Sequence, residues 1–209
     1  MEAALDEELS LLARHPNVPR RLWTVDEYHR MGEAGLLANE DRVELVEGEL
    51  VQMAPIGSEH AGCVGGLTRL LVMAVGERAI VFVQNPVRLD ERSEPQPDFA
   101  VLKPRADEYR SALPTAQDVL LIVEVSDSSL AYDRGLKLEL YARHAIQEVW
   151  VVNLAAQDVE VFRGPHGGDY TFPARFGRSS TLDIAALPGV SIPADRVFGT
   201  ASGQKKADR

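Results

Sequence analysis

Val119-Leu120-Leu121-Ile122-Val123-Glu124-Val125-Ser126 is the stretch of sequence that does most to determine the fold. Apolar and β-branched residues dominate it, and they predict a strand that runs from Asp118 to Ser126. A nearly continuous apolar run of this length is typical of a strand that is covered on both faces. The chain is therefore expected to contain a sheet with a layer of structure on each side.

Glu124 is the exception within this strand. Because side chains alternate along a strand, Glu124 is expected to point to the same side as Leu120 and Ile122, into a largely buried layer. An ionised carboxylate there costs several kcal/mol unless a cation, a metal or several donors compensate it. Glu124 is therefore a candidate site residue.

Asp98 supports the same argument from a second predicted strand, Asp98–Leu102, which begins directly after Pro97. Proline suits a strand end next to a cleft because it fixes the entry angle and contributes no donor. Two carboxylates at the ends of neighbouring strands would form a hard oxygen site for Mg²⁺ or Mn²⁺. The alternative explanation of the spacing is an aspartate in a turn and a glutamate paired with an arginine.

Hydrophobic periodicity places the other elements around this strand. The predicted helices are one carrying Leu5, Leu9 and Leu12, one with a Thr24–Glu27 capping box that ends near Gly32 or Gly35, one from Glu59 to Val75 capped by Ser58, and one from Asp133 to His144. The predicted strands are a hairpin of Val43–Val46 and Leu50–Met53, then Ala79–Val83, Val87–Leu89, Glu148–Leu154 and Val159–Phe162. Gly164–Gly168 reads as a loop, and the remainder to Phe198 has no clear pattern. This order favours an α+β fold around a mixed sheet.

The 209 residues predict one domain with short extensions. We expect a helical leader over residues 1–21, one domain over 22–199 and a polar tail over 200–209. The single cysteine, Cys63, excludes an intramolecular disulfide and a thiolate metal cage, and it fits a reducing compartment, with the cytoplasm as the default. The acidic N-terminus is unlike a signal peptide, and no apolar run approaches the roughly 18 residues of a membrane span.

The charge balance limits how the protein can meet nucleic acid. Its 32 acidic and 22 basic residues give a formal charge of -10, the wrong sign for a protein that coats nucleic acid without specificity. Any such contact must be local. The basic residues that bracket the candidate site in sequence are Arg88, Arg92, Lys103, Arg105, Arg110 and Arg134, which would form either a basic rim or scattered surface charge.

Pro97-Asp98, then Glu124-Val125-Ser126, then Lys137 in the next helix follow one another in a recognisable order. This order resembles the PD-(D/E)XK nuclease superfamily, in the variant where the lysine has moved from the strand to a helix. More specifically, residues 22 to 165 resemble the Uma-two family of restriction endonucleases. The matching segments are Val43 to Leu50, Ala54-Pro55 with His60, Pro95 to Asp98, Glu124 to Ser129, Tyr132 to Arg134 with Lys137, Tyr141-Ala142, and Glu148 to Val152.

The resemblance implies a restriction-endonuclease-like fold, with a central mixed β-sheet flanked by helices. It also implies an endonuclease that hydrolyses phosphodiester bonds of DNA with Mg²⁺ or Mn²⁺ as cofactor. Asp98 and Glu124 would hold the metal, and Lys137 would act on the attacking water and the phosphate. Ser126 stands where the superfamily usually has lysine, and the helical Lys137 is expected to substitute for it.

Six further residues are candidates for a supporting role. They are Glu44, His60, Gln84, Ser126, Asp133 and Tyr141. Glu44 would be a third acidic residue of the metal site or a solvated hairpin carboxylate, and His60 would meet phosphate or metal, or cap its helix. Asp133, Lys137 and Tyr141 share one helix face, where Asp133 and Lys137 would otherwise form a surface ion pair. Ser126 would bind a metal-bound water, and Gln84 would line the cleft.

Two rival functions use the same residues. One is a catalytically silent nuclease-like module that binds nucleic acid or protein, which the acidic net charge favours. The other is a metal-dependent hydrolase of a different phosphoester. For the nuclease the expected partner is DNA, with no membrane, and paired cuts in a duplex would suit a homodimer or a higher homo-oligomer.

Overall fold

The computed structural model describes residues 15, 17–37 and 41–199. The predicted helix on Leu5, Leu9 and Leu12 and the polar tail lie outside the described residues. The helices are α1 (Val25–Glu33), α2 (Ser58–Val75), α3 (Leu130–Tyr132), α4 (Leu138–Arg143) and α5 (Ala194–Val197), with a π-turn at Asp133–Lys137 between α3 and α4. The strands are β1 (Val43–Val46), β2 (Glu49–Gln52), β3 (Ile80–Val83), β4 (Phe99–Leu102), β5 (Val119–Ser126), β6 (Glu148–Asn153), β7 (Asp158–His166), β8 (Asp169–Gly177), β9 (Thr181–Asp183) and β10 (Ser191–Pro193).

A six-stranded mixed sheet in the order β3-β4-β5-β6-β7-β8 forms the centre of the fold. Strands β5 and β6 run parallel, and the other neighbours are antiparallel. The single parallel pair requires a crossover, and the helical segment from α3 to α4 supplies it. Strands β1 and β2 pair with each other, as do β9 and β10, in two small separate sheets. The predicted α+β class with a central mixed sheet is confirmed.

Helices flank the sheet, and each face carries its own hydrophobic core. On one face Leu67 and Leu71 of α2 pack in a cluster with Val123 and Trp150. On the other face Tyr141 of α4 belongs to a cluster with strand residues that include Ile122, Val149 and Val151. Because β5 is buried on both sides, its apolar sequence is nearly continuous, as predicted.

A β-bulge interrupts the start of β5. Leu102 pairs with Val119 and Val101 with Leu121, so that Leu120 is the extra residue. Leu120 packs with the α2-side core, whereas Ile122 belongs to the core on the α4 side. The prediction that Leu120 shares a side with Glu124 is therefore wrong, because the bulge shifts the alternation.

The N-terminal elements follow their local sequence signals closely. The capping box is present, with the Thr24 hydroxyl accepting from the Glu27 backbone and the Glu27 carboxylate accepting from the Thr24 backbone. The predicted hairpin also forms, and its turn holds Glu47 and Gly48 at φ values of 49° and 83°. A Cβ at Gly48 would lie 2.6 Å from the Leu22 side chain, which explains the glycine. Ser58 does not cap α2, because the N-cap is Gly57 and makes no side-chain bond.

Two other predictions are wrong for reasons of hydrogen bonding. Val87–Leu89 is not a strand, because Val87 and Leu89 donate to the Pro95 and Ser93 carbonyls in a local loop, with only an isolated bridge at Arg88. The predicted loop Gly164–Gly168 is mostly strand, since β7 extends to His166 before a turn at Gly167 and Gly168 returns the chain into β8.

Among the described residues, none of the helices combines the length and the hydropathy that a bilayer span requires.

Candidate functional site

A cavity of about 260 Å³ opens where β4 and β5 meet the helical crossover. We call it the site cavity. Its wall includes residues of the hairpin, the first turn of α2, the two central strands and the crossover. Those with ionisable side chains are Arg42, Glu44, His60, Asp98, Glu124, Asp127, Tyr132, Asp133 and Lys137. The cavity therefore contains more carboxylates than cations.

Asp98 lies directly before β4, and three groups hold its carboxylate. Its Oδ2 accepts from the backbone N–H of Val125 at 2.8 Å and lies 3.0 Å from Nε2 of His60. Its Oδ1 accepts from the side-chain amide of Gln84 at 3.1 Å. Burial raises the pKa of Asp98, but the hydrogen bond and charge of His60 with the other donors outweigh it, and the net pKa falls below its usual range. Asp98 is therefore a fixed, ionised carboxylate.

Gln84 and His60 are themselves constrained. Gln84 follows β3 with φ of 51°, a left-handed conformation that is uncommon outside glycine and that directs its amide to Asp98. The hydrogen bond to Asp98 raises the pKa of His60. Nδ1 of His60 is buried and has no hydrogen-bond partner in the part of the chain that the structure describes. His60 is thus an imidazole whose orientation is fixed at Nε2 and whose Nδ1 is unpaired among the described residues.

Glu124 is buried at the end of β5, beside Asp98. Its Oε2 accepts a long hydrogen bond of 3.5 Å from the backbone N–H of Asp98, and its Oε1 accepts from the Tyr141 hydroxyl at 2.5 Å. The Lys137 ammonium lies 3.2 Å from the same Oε1. Burial nevertheless raises the pKa of Glu124 to about 8, because Lys137 only partly compensates it and Asp133 and Asp98 add negative charge nearby.

Lys137 is as deeply buried as the carboxylates around it, with 3% of its surface exposed. Its Nζ lies 3.3 Å from Oε2 of Glu44, besides its contact with Glu124, and 5.7 Å from the centre of the Tyr132 ring. Burial lowers the pKa of Lys137, but the charges of Glu124, Glu44 and Asp133 outweigh this and hold its pKa above the usual range. Lys137 is therefore a permanent cation shared among carboxylates.

Glu44 and Asp133 complete the buried cluster. Glu44 accepts from the Tyr132 hydroxyl at 2.9 Å and from the backbone N–H of Gln96 at 2.9 Å. Asp133 accepts from the hydroxyls of Ser126 and Ser129 at 2.7 and 2.6 Å. Burial raises the pKa of Asp133, with Lys137 and the two serines acting against it. We call Glu44, Glu124, Asp133 and Lys137 the charge cluster.

The π-turn places Lys137 within this cluster. Its residues Asp133–Lys137 form a local widening of an otherwise α-helical crossover, a feature that often marks functional sites. Arg134 fastens the turn to the sheet through two hydrogen bonds to Glu160 of β7. Asp133 and Lys137 face inward from the turn and are both buried. The alternative that they form a surface ion pair is therefore wrong.

The structure brings all nine sequence-predicted site residues into one network, although their roles stay predictions. Ser126 differs from its expected contact, since its hydroxyl donates to Asp133. Of the two alternatives for the six basic residues that bracket the site in sequence, the cavity gives no support to a basic rim, because none of the six lines it. Sequence reasoning missed Arg42 and Tyr132, which do line it. Tyr132 stood within a matching segment, and Arg42 directly precedes another.

The donor set fits a hard divalent cation held by few protein ligands. Asp98 and Glu124 present carboxylate oxygens side by side, and Mg²⁺ commonly takes one or two carboxylates while keeping several waters. The raised pKa of Glu124 indicates a shortage of positive charge there. Within residues 17–37 and 41–199 there is no group of three or more His, Cys, Asp or Glu side chains that could hold a metal ion, so a closed protein cage is not formed.

Comparison with known proteins settles the family. The sequence profile of the Uma2 (Uma-two) family, described as "Putative restriction endonuclease", matches residues 25–195. The chain belongs to this family. Its fold is similar to the crystal structure of "a putative nuclease belonging to DUF820" from Anabaena variabilis ATCC 29413, with a TM-score of 0.64 and 16% sequence identity over 84% of this chain and 97% of that one. No curated protein matches the sequence.

Proposed function

We propose that this Uma2 protein is a Mg²⁺-dependent endodeoxyribonuclease that hydrolyses phosphodiester bonds of DNA. The observation that carries the proposal is the buried ammonium of Lys137, 3.2 Å from Glu124, which itself lies beside Asp98 at an open cavity. Several carboxylates share this one cation, which is more negative charge than a structural ion pair requires. Membership of a restriction endonuclease family supports the same conclusion.

In this proposal Asp98 and Glu124 hold the metal. When bound, Mg²⁺ lowers the pKa of a coordinated water and neutralises charge on the scissile phosphate. His60, Gln84 and the Val125 N–H fix the orientation of the Asp98 carboxylate. Tyr141 does the same for Glu124. The two carboxylates are thus preorganised, which reduces the reorganisation that the reaction needs.

Lys137 supplies the positive charge on the protein side. Its ammonium would stabilise the negative charge that develops on the phosphate oxygens as water attacks phosphorus and the bond to the leaving oxygen breaks. Because its pKa is held above the usual range, Lys137 acts as a cation and hydrogen-bond donor rather than as a base. The proton of the attacking water then leaves through solvent or a phosphate oxygen.

Cleavage of a labelled DNA substrate with increasing Mg²⁺ tests the proposal, with EDTA as the metal-free reference. We expect activity only with metal, and its loss in both Asp98→Asn and Glu124→Gln. Calorimetry should show that each variant has lost Mg²⁺ binding. Arg69→Ala, at an exposed position of α2 away from the cavity, is the matched control and should cleave at the wild-type rate. Equal cleavage by wild type and both carboxylate variants would refute the proposal.

A catalytically silent nucleic-acid-binding or protein-interaction module is the second candidate function. The formal charge of -10 and the carboxylates of the cavity favour its protein-interaction form, since both oppose the approach of a polyanion. This candidate predicts binding of DNA or a protein partner without cleavage at any Mg²⁺ or Mn²⁺ concentration.

A further inference from the structure

A second cavity of about 640 Å³ adjoins the site cavity and shares Arg42, Met53 and Gln96 with it. We call it the side groove. Helix α1 forms its far wall, with Tyr28, His29 and Gly32 facing the hairpin. The side groove does not contain the proposed metal ligands, but it meets the cavity that contains them at Arg42, Met53 and Gln96. An extended ligand that occupies the site cavity can therefore continue past Arg42 into the side groove.

Arg42 is the cation at this junction, and it is free to bind an anion. Lys137 contacts two carboxylates and His60 contacts Asp98, so these two cations of the site cavity are already paired. Arg42 donates to the carbonyl oxygen of Ala54 at 3.0 Å and has no ion pair with a carboxylate in the described part of the chain. A guanidinium with free donors in a cleft suits a phosphate, which it can bind through two parallel hydrogen bonds.

The side groove has the chemistry of a nucleobase site. The rings of Tyr28 and His29 lie with centroids 5.9 Å apart and planes tilted by 44°, and the Tyr28 hydroxyl is anchored to the Val43 carbonyl. Met53 adds a polarisable apolar surface. Base stacking on aromatic side chains tolerates any sequence and adds affinity for unpaired strands. The groove is also large enough for a nucleoside, given that small-ligand pockets begin near 300 Å³.

We infer that the side groove binds an unpaired nucleotide next to the scissile phosphate, with Arg42 on the intervening phosphate. The preferred substrate is then single-stranded or locally unpaired DNA, because a stacked and paired base cannot enter a groove walled by α1. This inference rests on the proposed function for its identification of the ligand as DNA. The net charge of -10 agrees with it, since a duplex is held through many phosphate contacts that this chain is poorly charged to make.

Fluorescence anisotropy in EDTA tests the inference without reference to metal or cleavage. The probes are a labelled twelve-nucleotide single strand and the blunt duplex of the same sequence. The wild-type protein should bind the single strand at least about tenfold more tightly, and Arg42→Ala should lose about tenfold of that affinity. Arg42→Ala should also reduce the slope of log affinity against log salt by about 0.7, one phosphate contact to a single strand.

A pair of glycine variants tests the groove itself. A Cβ at Gly32 meets nothing within 4 Å, and Gly32 lines the side groove, so Gly32→Trp should fill the groove with little strain. Gly65 on the exposed face of α2 has the same open surroundings and is the matched control. Gly32→Trp should weaken single-strand binding about tenfold, with Gly65→Trp unchanged.

Binding of the duplex as tightly as the single strand would overturn the inference, as would wild-type single-strand affinity and salt slope in a folded Arg42→Ala protein. Wild-type binding by Gly32→Trp would show that the groove holds no base. If the single strand binds as expected but Mg²⁺ produces no cleavage, the proposed function fails and the nucleotide site remains.

Discussion

Glu124 on β5 and Glu148 on β6 are both buried carboxylates, and they lie on neighbouring strands of one sheet. Glu148 has its own set of donors: the Arg163 guanidinium at 2.6 Å, the Trp150 indole at 2.9 Å and the Ala185 N–H at 2.8 Å. Glu124 shares one ammonium with Glu44 and opens onto a cavity.

The difference separates two uses of a buried charge. Glu148 is neutralised within the fold, and it ties β6 to β7 and to the segment after β9. The charge cluster around Glu124 has more carboxylates than cations, and a cation that enters the cavity would balance it. Burial alone, which the sequence revealed for Glu124, therefore does not identify a site. The balance between carboxylates and cations around the buried residue does identify one.

The largest expected effect concerns Lys137. Lys137→Ala should reduce the cleavage rate by roughly a hundredfold or more at saturating Mg²⁺, because the charge on the developing phosphate dianion loses its protein-side partner. Calorimetric Mg²⁺ affinity should change little. The double variant Ser126→Lys with Lys137→Ala should partly restore cleavage, since the ammonium returns from the strand. Wild-type cleavage by Lys137→Ala would make Lys137 a purely structural ion pair, like Arg163.

Glu148→Gln tests the structural side of the comparison. This change should lower the free energy of unfolding by about 2 kcal/mol, because a buried carboxylate that accepts four hydrogen bonds is replaced by a neutral group that cannot accept them all. Urea denaturation measures it. Cleavage per folded molecule should stay at the wild-type level, and a loss of cleavage without a loss of stability would contradict the assignment.

Glu124→Gln should change the free energy of unfolding in the opposite direction to Glu148→Gln, and by a smaller amount. Without metal it should raise the free energy of unfolding by about 1 kcal/mol at pH 8, because an undercompensated charge has been removed. The pKa of Glu124 rises from an ordinary 4.5 to about 8 on folding, so its charge penalises the fold increasingly as the pH climbs between these values. The gain should therefore shrink toward zero near pH 5. A pH-independent difference in urea denaturation would count against this origin.

Arg134→Ala should give the smallest effect on the site. Its guanidinium fastens the π-turn to Glu160 without reaching the cavity, so its loss should loosen the position of Lys137 and lower the turnover several-fold with Mg²⁺ affinity unchanged. Arg134→Lys keeps the charge and should recover part of the rate. If both variants cleave at the wild-type rate, the π-turn holds its position without the hydrogen bonds from Arg134 to Glu160.

The sequence was sufficient for the elements that are buried. Strand β5, helix α2 and strand β1 have apolar patterns because their side chains face a core. Strand β8 escaped prediction because it is an edge strand with most of its side chains exposed, so no periodicity marks it. Val87 caused the opposite error, the prediction of a strand where none forms, because it is apolar and fully buried but lies in a loop.

The site was predictable only in part. The anomaly of Glu124 and the family resemblance located its proposed metal ligands and lysine. Contacts such as the one between Tyr132 and Glu44 join residues 88 positions apart, and only the folded chain reveals them. The sequence gives no local signal for Arg42, because what marks it is that no carboxylate of the described residues pairs with it. The expectation of a homodimer depended on paired cuts in a duplex, which an unpaired strand does not require.

The π-turn has a consequence for how insertions and deletions act on this chain. Gly135 lies exposed at its middle, and a Cβ there would meet nothing within 4 Å. A π-turn takes up one residue more than the α-helical turn that it replaces, so deleting Gly135 would let the crossover become a regular α-helix whose segments on either side still present the same faces. An insertion after Lys137 has no such compensation: it would turn every later side chain of the crossover by about 100° relative to Lys137 and remove Tyr141 from its core. The crossover can therefore lose a residue at Gly135 more easily than it can gain one after Lys137.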